Sequence, residues 1–287
     1  MNLSNEKRKL LDDLVSDLKR IEGIRAVVLG GSHAVGMATE NSDLDIGIYY
    51  NEQKPFDIEE VKAVARHYAD REEPTVTGFY EWGPWVNGGA WITTPQGEVD
   101  LLYKNIDQVT KIIANAQDGI WETNYQQQPP YGFSSIIFLA ETQACIPLYD
   151  PDGLIRDLKE SVKQYPEKLQ QSVVQQSLWS AEFSIWHAEK FAGKADMYNA
   201  AGCFTRALSS IVSALFALNE VYPMGDKRAV EIIEQLANRP ANFRGRVEAI
   251  LCCDRTSLEE NVRFLHLLFR DTVELANGKY KPYYTLS

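Results

Sequence analysis

The chain has 287 residues, of which 45% are hydrophobic and 24% are charged, and its formal net charge is −11. This composition is typical of a globular protein, and the length predicts one large domain or two ordinary ones. The acidic balance argues against a protein that binds the phosphate backbone of nucleic acids, because such proteins carry a basic surface.

The four cysteines form no C-x-x-C pair, and the histidines do not cluster near them, which argues against a zinc site. Reduced thiols and a cytoplasmic location are therefore expected. The N-terminal segment is charged and lacks an apolar signal core, and no apolar run approaches 18 residues. We expect neither a secretion signal nor a membrane span.

Helix and strand patterns alternate over the first 150 residues. Apolar residues at helical spacing predict helices at 5–20, 56–70 and 106–117. Runs rich in β-branched and aromatic residues predict strands at 24–31, 43–50 and 98–105. The Trp- and Gly-rich segment 78–97 predicts a loop or hairpin that leads into the third strand. Residues 136–150 are ambiguous between helix and strand, and we favour a helix.

The pattern becomes helical after the turn signal Asp-Pro-Asp-Gly at residues 150–153. Segments of bundle-helix length follow at 166–193, 198–219, 226–237, 241–252 and 256–276. The sequence therefore predicts an α+β protein with a boundary near residue 150. Residues 1–150 would form a mixed sheet with flanking helices, and residues 151–287 an all-α helical bundle.

Two aspartates lie in the apolar run at the end of GGSHAVGMATENSDLDIGIYY, which spans residues 30–50. Strand alternation places Asp43 and Asp45 on one face, where their charges repel and their burial is unfavourable. A divalent cation such as Mg²⁺ offsets both effects. Glu98 and Asp100 share a face on the third strand, so neighbouring strands would let Asp43, Asp45 and Asp100 converge on a metal pair. Such a pair suits in-line attack on a phosphoryl group. An isolated Asp-x-Asp is also typical of a turn or a solvated edge.

A glycine turn precedes the aspartates. Gly30, Gly31 and Ser32 follow the first strand, and their backbone N–H groups can bind phosphate, with the Ser32 hydroxyl as a further donor. Gly-Gly-Ser alone is typical of an ordinary turn, but its combination with the two acidic strands is more specific. His33 is either a phosphate contact or a solvated loop histidine.

This combination resembles the nucleotidyltransferase superfamily, which includes DNA polymerase β, the kanamycin and streptomycin nucleotidyltransferases and the small MNT proteins. That pattern is an apolar strand, G-[GS], a gap of about ten residues, D-x-[DE] and a third carboxylate on a later strand. Here these positions are Gly31-Ser32, Asp43, Asp45 and Asp100, with ten residues between Ser32 and Asp43. The resemblance covers residues 22–105. Beyond residue 150 only the general layout of the aminoglycoside nucleotidyltransferases matches.

The resemblance implies a nucleotidyltransferase domain and a Mg²⁺-dependent reaction. A hydroxyl of a small-molecule acceptor, an antibiotic among the candidates, would attack the α-phosphorus of ATP or another NTP and release pyrophosphate. Asp43 and Asp45 would bind metal, and Asp100 would bind a second metal or act as the general base. The alternative candidates for the general base are Glu98 and an unidentified residue of the helical domain. The residues implied in nucleotide binding are Gly30, Gly31, Ser32, His33 and Lys227.

Two other functions remain open at this point. One is AMP transfer to a protein acceptor, as in antitoxin-like enzymes, and the other is a non-catalytic nucleotide-binding module. The expected partners are a nucleotide and a small-molecule acceptor, without nucleic acid or membrane, and a homodimer is an open alternative to a monomer.

Aromatic segments provide weaker candidates. Trp82, Trp85, Asn87 and Trp91 would either stack on a ring of the substrate or form a small satellite core. Glu182, among aromatic residues of a predicted helix, would either bind an amine-bearing acceptor or lie on a solvated helix face.

Overall fold

The structure is a computed structural model that describes residues 3–284. These residues form two compact units, one of residues 3–114 with Phe138–Lys163 and the other of Asn115–Ile137 with residues 164–284. The first unit combines a sheet with helices, and the second is almost wholly helical. The predicted α+β class is confirmed.

A six-stranded mixed sheet is the centre of the first unit. Its strands are β1 (Ala26–Leu29), β2 (Leu44–Tyr50), β3 (Thr75–Val76), β4 (Gly89–Thr94), β5 (Gly97–Asn105) and β8 (Ile146–Tyr149). In the described residues their order is β3-β4-β5-β2-β1-β8. Strands β2 and β5 are parallel, and the other neighbours are antiparallel.

Helices cover one face of this sheet. Leucines of the helix Asn5–Leu18 and Val61 of the helix Ile58–Tyr68 pack with Leu44, Ile46 and Leu101 in a single hydrophobic core. Because side chains alternate along a strand, Asp45 and Asp100 lie on the opposite face. The helices of this part of the chain are α1 (Asn5–Leu18), α2 (Gly31–Ala34), α3 (Ile58–Tyr68), α4 (Ile106–Gln117), α5 (Ile136–Ala144) and α6 (Leu154–Ser161).

The ambiguous segment 136–150 contains both elements, because α5 ends at Ala144 and β8 then pairs with β1. Lys159 on α6 donates hydrogen bonds to the carbonyls of Gln143 (2.5 Å) and Cys145 (2.7 Å) at the end of α5. These bonds stabilise carbonyls that have no partner within the helix. The sequence predicted a single boundary near residue 150. In the structure, the first unit continues to Lys163.

The second unit contains the long helices that the sequence predicted and a two-stranded ribbon. The predicted helix at 226–237 is shorter than expected, since the left-handed Arg228 (φ +59°) precedes a helix of five residues. The elements are β6 (Thr123–Asn124), β7 (Phe133–Ser134), α7 (Glu167–Ala192), α8 (Met197–Leu218), α9 (Ala229–Ile233), α10 (Phe243–Leu251) and α11 (Leu258–Leu275).

Helix α8 bears on the expectation that the chain contains no membrane span, which would require a helix long and apolar enough to cross a membrane. By length and composition alone, its 22 residues meet that requirement. Half of its most apolar stretch is buried inside the protein, including Phe204, Ala207 and Ile211, which have no exposed surface. Because fully buried apolar residues are typical of a core helix, the length and composition of α8 are weak support for a membrane span.

Candidate active site

The parallel register of β2 and β5 places Asp45 directly opposite Asp100. Both side chains are half-buried on the sheet face that α1 and α3 leave uncovered. Glu98 lies two residues earlier on the same face of β5, and Asp43 immediately precedes β2; both are exposed. The structure thus brings the four predicted acidic residues to one end of this strand pair.

The environment of Asp100 disfavours its negative charge. Burial raises the pKa of Asp100 to about 6, and the charges of Asp45 and then Asp43 add to this effect, with a smaller addition from Glu98. A hydrogen bond from the Trp91 side chain acts in the opposite direction. A bound cation stabilises acidic groups that are clustered and poorly solvated, because it neutralises their mutual repulsion.

The Asp100→Asn variant is expected to stabilise the metal-free protein at neutral pH. The folded pKa of about 6 lies above the unfolded value, so stability falls as pH rises from about 4 to 6. After allowance for solvent screening, we expect the variant to gain about 1 kcal/mol above pH 7 and little at pH 4. Denaturant unfolding in EDTA at the two pH values measures this; an equal gain at both would contradict it.

The glycine turn lies against the Asp45 side chain. The Gly30 N–H donates to the Asp45 carbonyl oxygen at 2.7 Å, and Gly31 adopts a left-handed φ of +53°. A Cβ atom added at Gly31 would lie 1.7 Å from Asp45 Oδ2. Glycine is therefore required at position 31 for two reasons, the backbone conformation and the close approach to the carboxylate.

The Gly31→Ala and Gly36→Ala variants separate these two reasons. Gly36 also has a positive φ (+73°), but no atom lies within 4 Å of its added Cβ among the neighbours that the structure describes. Both variants are expected to lose about 1–2 kcal/mol of unfolding free energy. Only Gly31→Ala should displace the Asp45 carboxylate, which titration with Mn²⁺ would show as weaker binding. Equal Mn²⁺ affinity in the two variants would contradict this interpretation.

His33 is buried, with 6% of its surface exposed, and its Nε2 atom has no hydrogen-bond partner within residues 3–284. The interpretation of a solvated loop histidine is therefore wrong. A buried polar atom without a partner is unfavourable by roughly 1–3 kcal/mol, and a ligand that provides a partner removes this penalty. Ser32, next to it, is half-buried in the same turn.

Lys7 is a site neighbour that the sequence did not reveal. Its ammonium group donates to the carbonyls of Glu40 (2.8 Å) and Ser42 (2.9 Å), which connects α1 to the loop immediately before Asp43. The N-cap Ser4 fixes the first turn of α1 by accepting a bond from the Lys7 N–H at 3.1 Å. The capping signal is visible in the sequence, but the partner loop lies more than 30 residues away.

No cluster of three or more His, Cys, Asp or Glu side chains is arranged to hold a metal ion in the part of the chain that the structure describes. The donor chemistry nevertheless fits a divalent cation. Asp45 and Asp100 supply hard oxygen ligands on neighbouring strands, the charge of Asp45 helps to raise the pKa of Asp100, and the Gly31 backbone lies close against the Asp45 carboxylate. The metal ligands remain a prediction.

The other candidates lie in different surroundings. Lys227 is exposed in the turn before α9, in the second unit. Trp82 stacks on Trp91, while Asn87 is buried and donates to the Tyr50 hydroxyl at 2.5 Å. Glu182 is completely buried, so its interpretation as a solvated helix residue is wrong.

Comparison with known proteins agrees with this geometry. A family model described as a nucleotidyltransferase domain matches residues 8–83, and one described as a domain of unknown function (DUF4037) matches residues 137–227. The chain therefore carries a nucleotidyltransferase domain of the superfamily that its motifs resemble. No curated protein matches the sequence.

Two solved structures are similar over most of the chain. The first is a nucleotidyltransferase-like protein from Exiguobacterium sibiricum 255-15, with 11% identity, a TM-score of 0.47 and coverage of 94% of this chain and 75% of that one. The second is a CCA-adding enzyme in complex with ATP, with 11% identity, a TM-score of 0.31 and coverage of 96% and 84%. Both TM-scores are below 0.5. The assignment of a nucleotidyltransferase domain therefore depends on the family match and on the geometry of the site.

Proposed function

We propose that the protein transfers a nucleoside monophosphate, AMP from ATP in the simplest case, to a hydroxyl group of a small-molecule acceptor and releases pyrophosphate. The observation that carries this proposal is the opposed pair of Asp45 and Asp100 beside the glycine turn at Gly31. That arrangement places hard oxygen ligands next to a backbone segment suited to phosphate. The nucleotidyltransferase domain at residues 8–83 supports the reaction class.

Asp43 and Asp45 would hold Mg²⁺, with Asp100 as a further ligand. When bound, the cation would neutralise charge on the nucleotide phosphates and acidify the attacking hydroxyl. The N–H groups at Gly31 and Ser32 and the unpartnered Nε2 of His33 would bind phosphate oxygens. The Gly30 N–H, which the sequence also predicted to bind phosphate, instead donates to the Asp45 carbonyl oxygen.

Asp100 is also the stronger candidate for the general base. Its carboxylate would take the proton from the acceptor hydroxyl, and a pKa raised to about 6 suits a base that works near neutral pH. Its rival Glu98 is exposed, and its Oε2 accepts a hydrogen bond from the Thr93 hydroxyl at 3.1 Å. That Lys227 binds a phosphate of the nucleotide remains a prediction.

A cytoplasmic location and the absence of nucleic-acid and membrane partners belong to the same proposal. All four cysteines are free, which suits a reducing compartment. The acidic net charge of −11 does not suit a nucleic-acid acceptor, and it favours a cationic small molecule.

Pyrophosphate release tests the proposal directly. The purified protein is incubated with each of the four NTPs, Mg²⁺ or EDTA, and a panel of hydroxylated amines, sugars and aminoglycosides. Metal-dependent pyrophosphate together with an acceptor whose mass increases by one nucleoside monophosphate is the expected result. Label that appears only on proteins would favour a protein acceptor. ATP binding without turnover across the panel would favour a non-catalytic module.

A further inference from the structure

We propose that Trp91 is a positioning residue for Asp100. The indole N–H of Trp91 fixes the Asp100 carboxylate in the orientation that the cation requires, and Trp82 holds the indole in place. This inference rests on the proposed function, because Asp100 needs a fixed orientation only if it serves the acidic site. Neither tryptophan is one of the motif positions, Gly31-Ser32, Asp43, Asp45 and Asp100, that carry the superfamily resemblance.

The antiparallel register of β4 and β5 makes Trp91 the direct cross-strand partner of Asp100. Its neighbours Ala90 and Ile92 are fully buried in the core under α1 and α3, so Trp91 points to the same face as the carboxylate. The Trp91 side chain lies close enough to Asp100 for its N–H to lower the pKa of the carboxylate. An indole can only donate, and a bond to an ionised acceptor is stronger than one between neutral groups.

The same strand pair repeats this arrangement two residues away. Thr93 is the cross-strand partner of Glu98, and its hydroxyl lies 3.1 Å from Glu98 Oε2. Both outward-facing acids of β5 therefore meet a donor directly opposite on β4. A repeated donor-to-acid pairing indicates that β4 orients the acidic face, which a satellite core would not require.

Trp82 fixes the indole from the other side. Its ring stacks on Trp91 with centroids 3.9 Å apart and an angle of 21° between the planes. The loop that carries Trp82 is itself held, since the Tyr80 N–H donates to Asn87 Oδ1 at 2.8 Å and Asn87 is buried. Trp82 remains 46% exposed. The stack thus restricts the Trp91 side chain without enclosing the acids beside it.

The test compares three Trp→Phe variants in the full chain. Trp91→Phe keeps the aromatic stack and removes the N–H donor, Trp82→Phe keeps the donor, and Trp179→Phe makes the same change on an exposed residue of α7 in the second unit. Mn²⁺ binding by electron paramagnetic resonance and indole N–H resonances by NMR are measured without any turnover. kcat and KM are measured with the acceptor that the pyrophosphate assay identifies.

Trp91→Phe is expected to weaken Mn²⁺ binding and to lower kcat at least about tenfold, with little change in the nucleotide KM. Trp82→Phe should have a smaller effect, and Trp179→Phe none. The indole resonance that disappears in Trp91→Phe should also shift in Asp100→Asn and on addition of Mg²⁺ to the wild-type protein.

Two results would overturn the inference. One is a Trp91 resonance that does not move in Asp100→Asn, since the hydrogen bond would then be absent. The other is a Trp91→Phe protein with a lower melting temperature but wild-type Mn²⁺ affinity, which is the signature of packing alone. Both readouts stand even if no acceptor supports turnover, so failure of the positioning role can be distinguished from failure of the proposed reaction.

Discussion

Asp45→Asn is expected to abolish metal-dependent nucleotide transfer, with a loss of about 10³-fold or more in kcat, while the fold stays intact. Asp45 faces Asp100 across the parallel strands and lies against the Gly31 backbone, so no other carboxylate can occupy its place. The amide keeps the size of the side chain but removes the negative charge that a divalent cation requires. The measurement is the steady-state rate of pyrophosphate release at saturating Mg²⁺.

A matched control makes the same chemical change away from the site. Asp12 is an exposed residue of α1, and Asp12→Asn should retain wild-type activity. The melting temperature of metal-free Asp45→Asn should equal or exceed that of the wild type, because a repulsion beside Asp100 is removed. Transfer at a wild-type rate in Asp45→Asn would show that the metal assignment is wrong.

The largest loss of stability is expected from Glu182→Ala in the second unit. The carboxylate has no exposed surface and accepts hydrogen bonds from the Tyr280 hydroxyl and from the backbone N–H groups of Tyr283 (2.9 Å) and Tyr284 (2.6 Å). Alanine leaves these donors without their acceptor and creates a cavity inside the unit. The expected loss is about 3–5 kcal/mol, and urea unfolding measures it.

Two further variants make this prediction specific. Glu248 is exposed on α10, and Glu248→Ala should change the unfolding free energy by no more than about 0.5 kcal/mol. Tyr280→Phe removes one donor and should recover part of the loss when it is combined with Glu182→Ala, because that donor no longer needs a partner. If Glu182→Ala unfolds like the wild type, the C-terminal segment does not depend on this carboxylate.

Local patterns in the sequence predicted the elements of both units with few errors. The helix at 5–20 and the strands that carry Asp45 and Asp100 are confirmed, because apolar periodicity reflects which face each element buries. The errors occurred where a short segment changes type. Residues 136–150 contain a helix and a strand, and the helix predicted at 226–237 has only five residues.

The candidate site was predictable to the extent that its chemistry is local. Strand alternation places Glu98 and Asp100 on one face, and the Gly-Gly-Ser motif marks a turn that only glycine permits. The contribution of Lys7 was not predictable, since its ammonium group bonds to carbonyls at Glu40 and Ser42 that are distant in sequence.

The sequence by itself determined the class of this protein: an acidic α+β chain with a nucleotidyltransferase motif, all of it encoded in spacing and residue type along single elements. Only the tertiary structure decided which groups meet. The parallel register that opposes Asp45 and Asp100, the position of Trp91 opposite Asp100 and the burial of His33 and Glu182 all depend on contacts between distant segments. Such contacts are set by the packing of whole faces. On the strands, a one-residue change of register would turn Asp45 or Trp91 away from the face that carries Asp100.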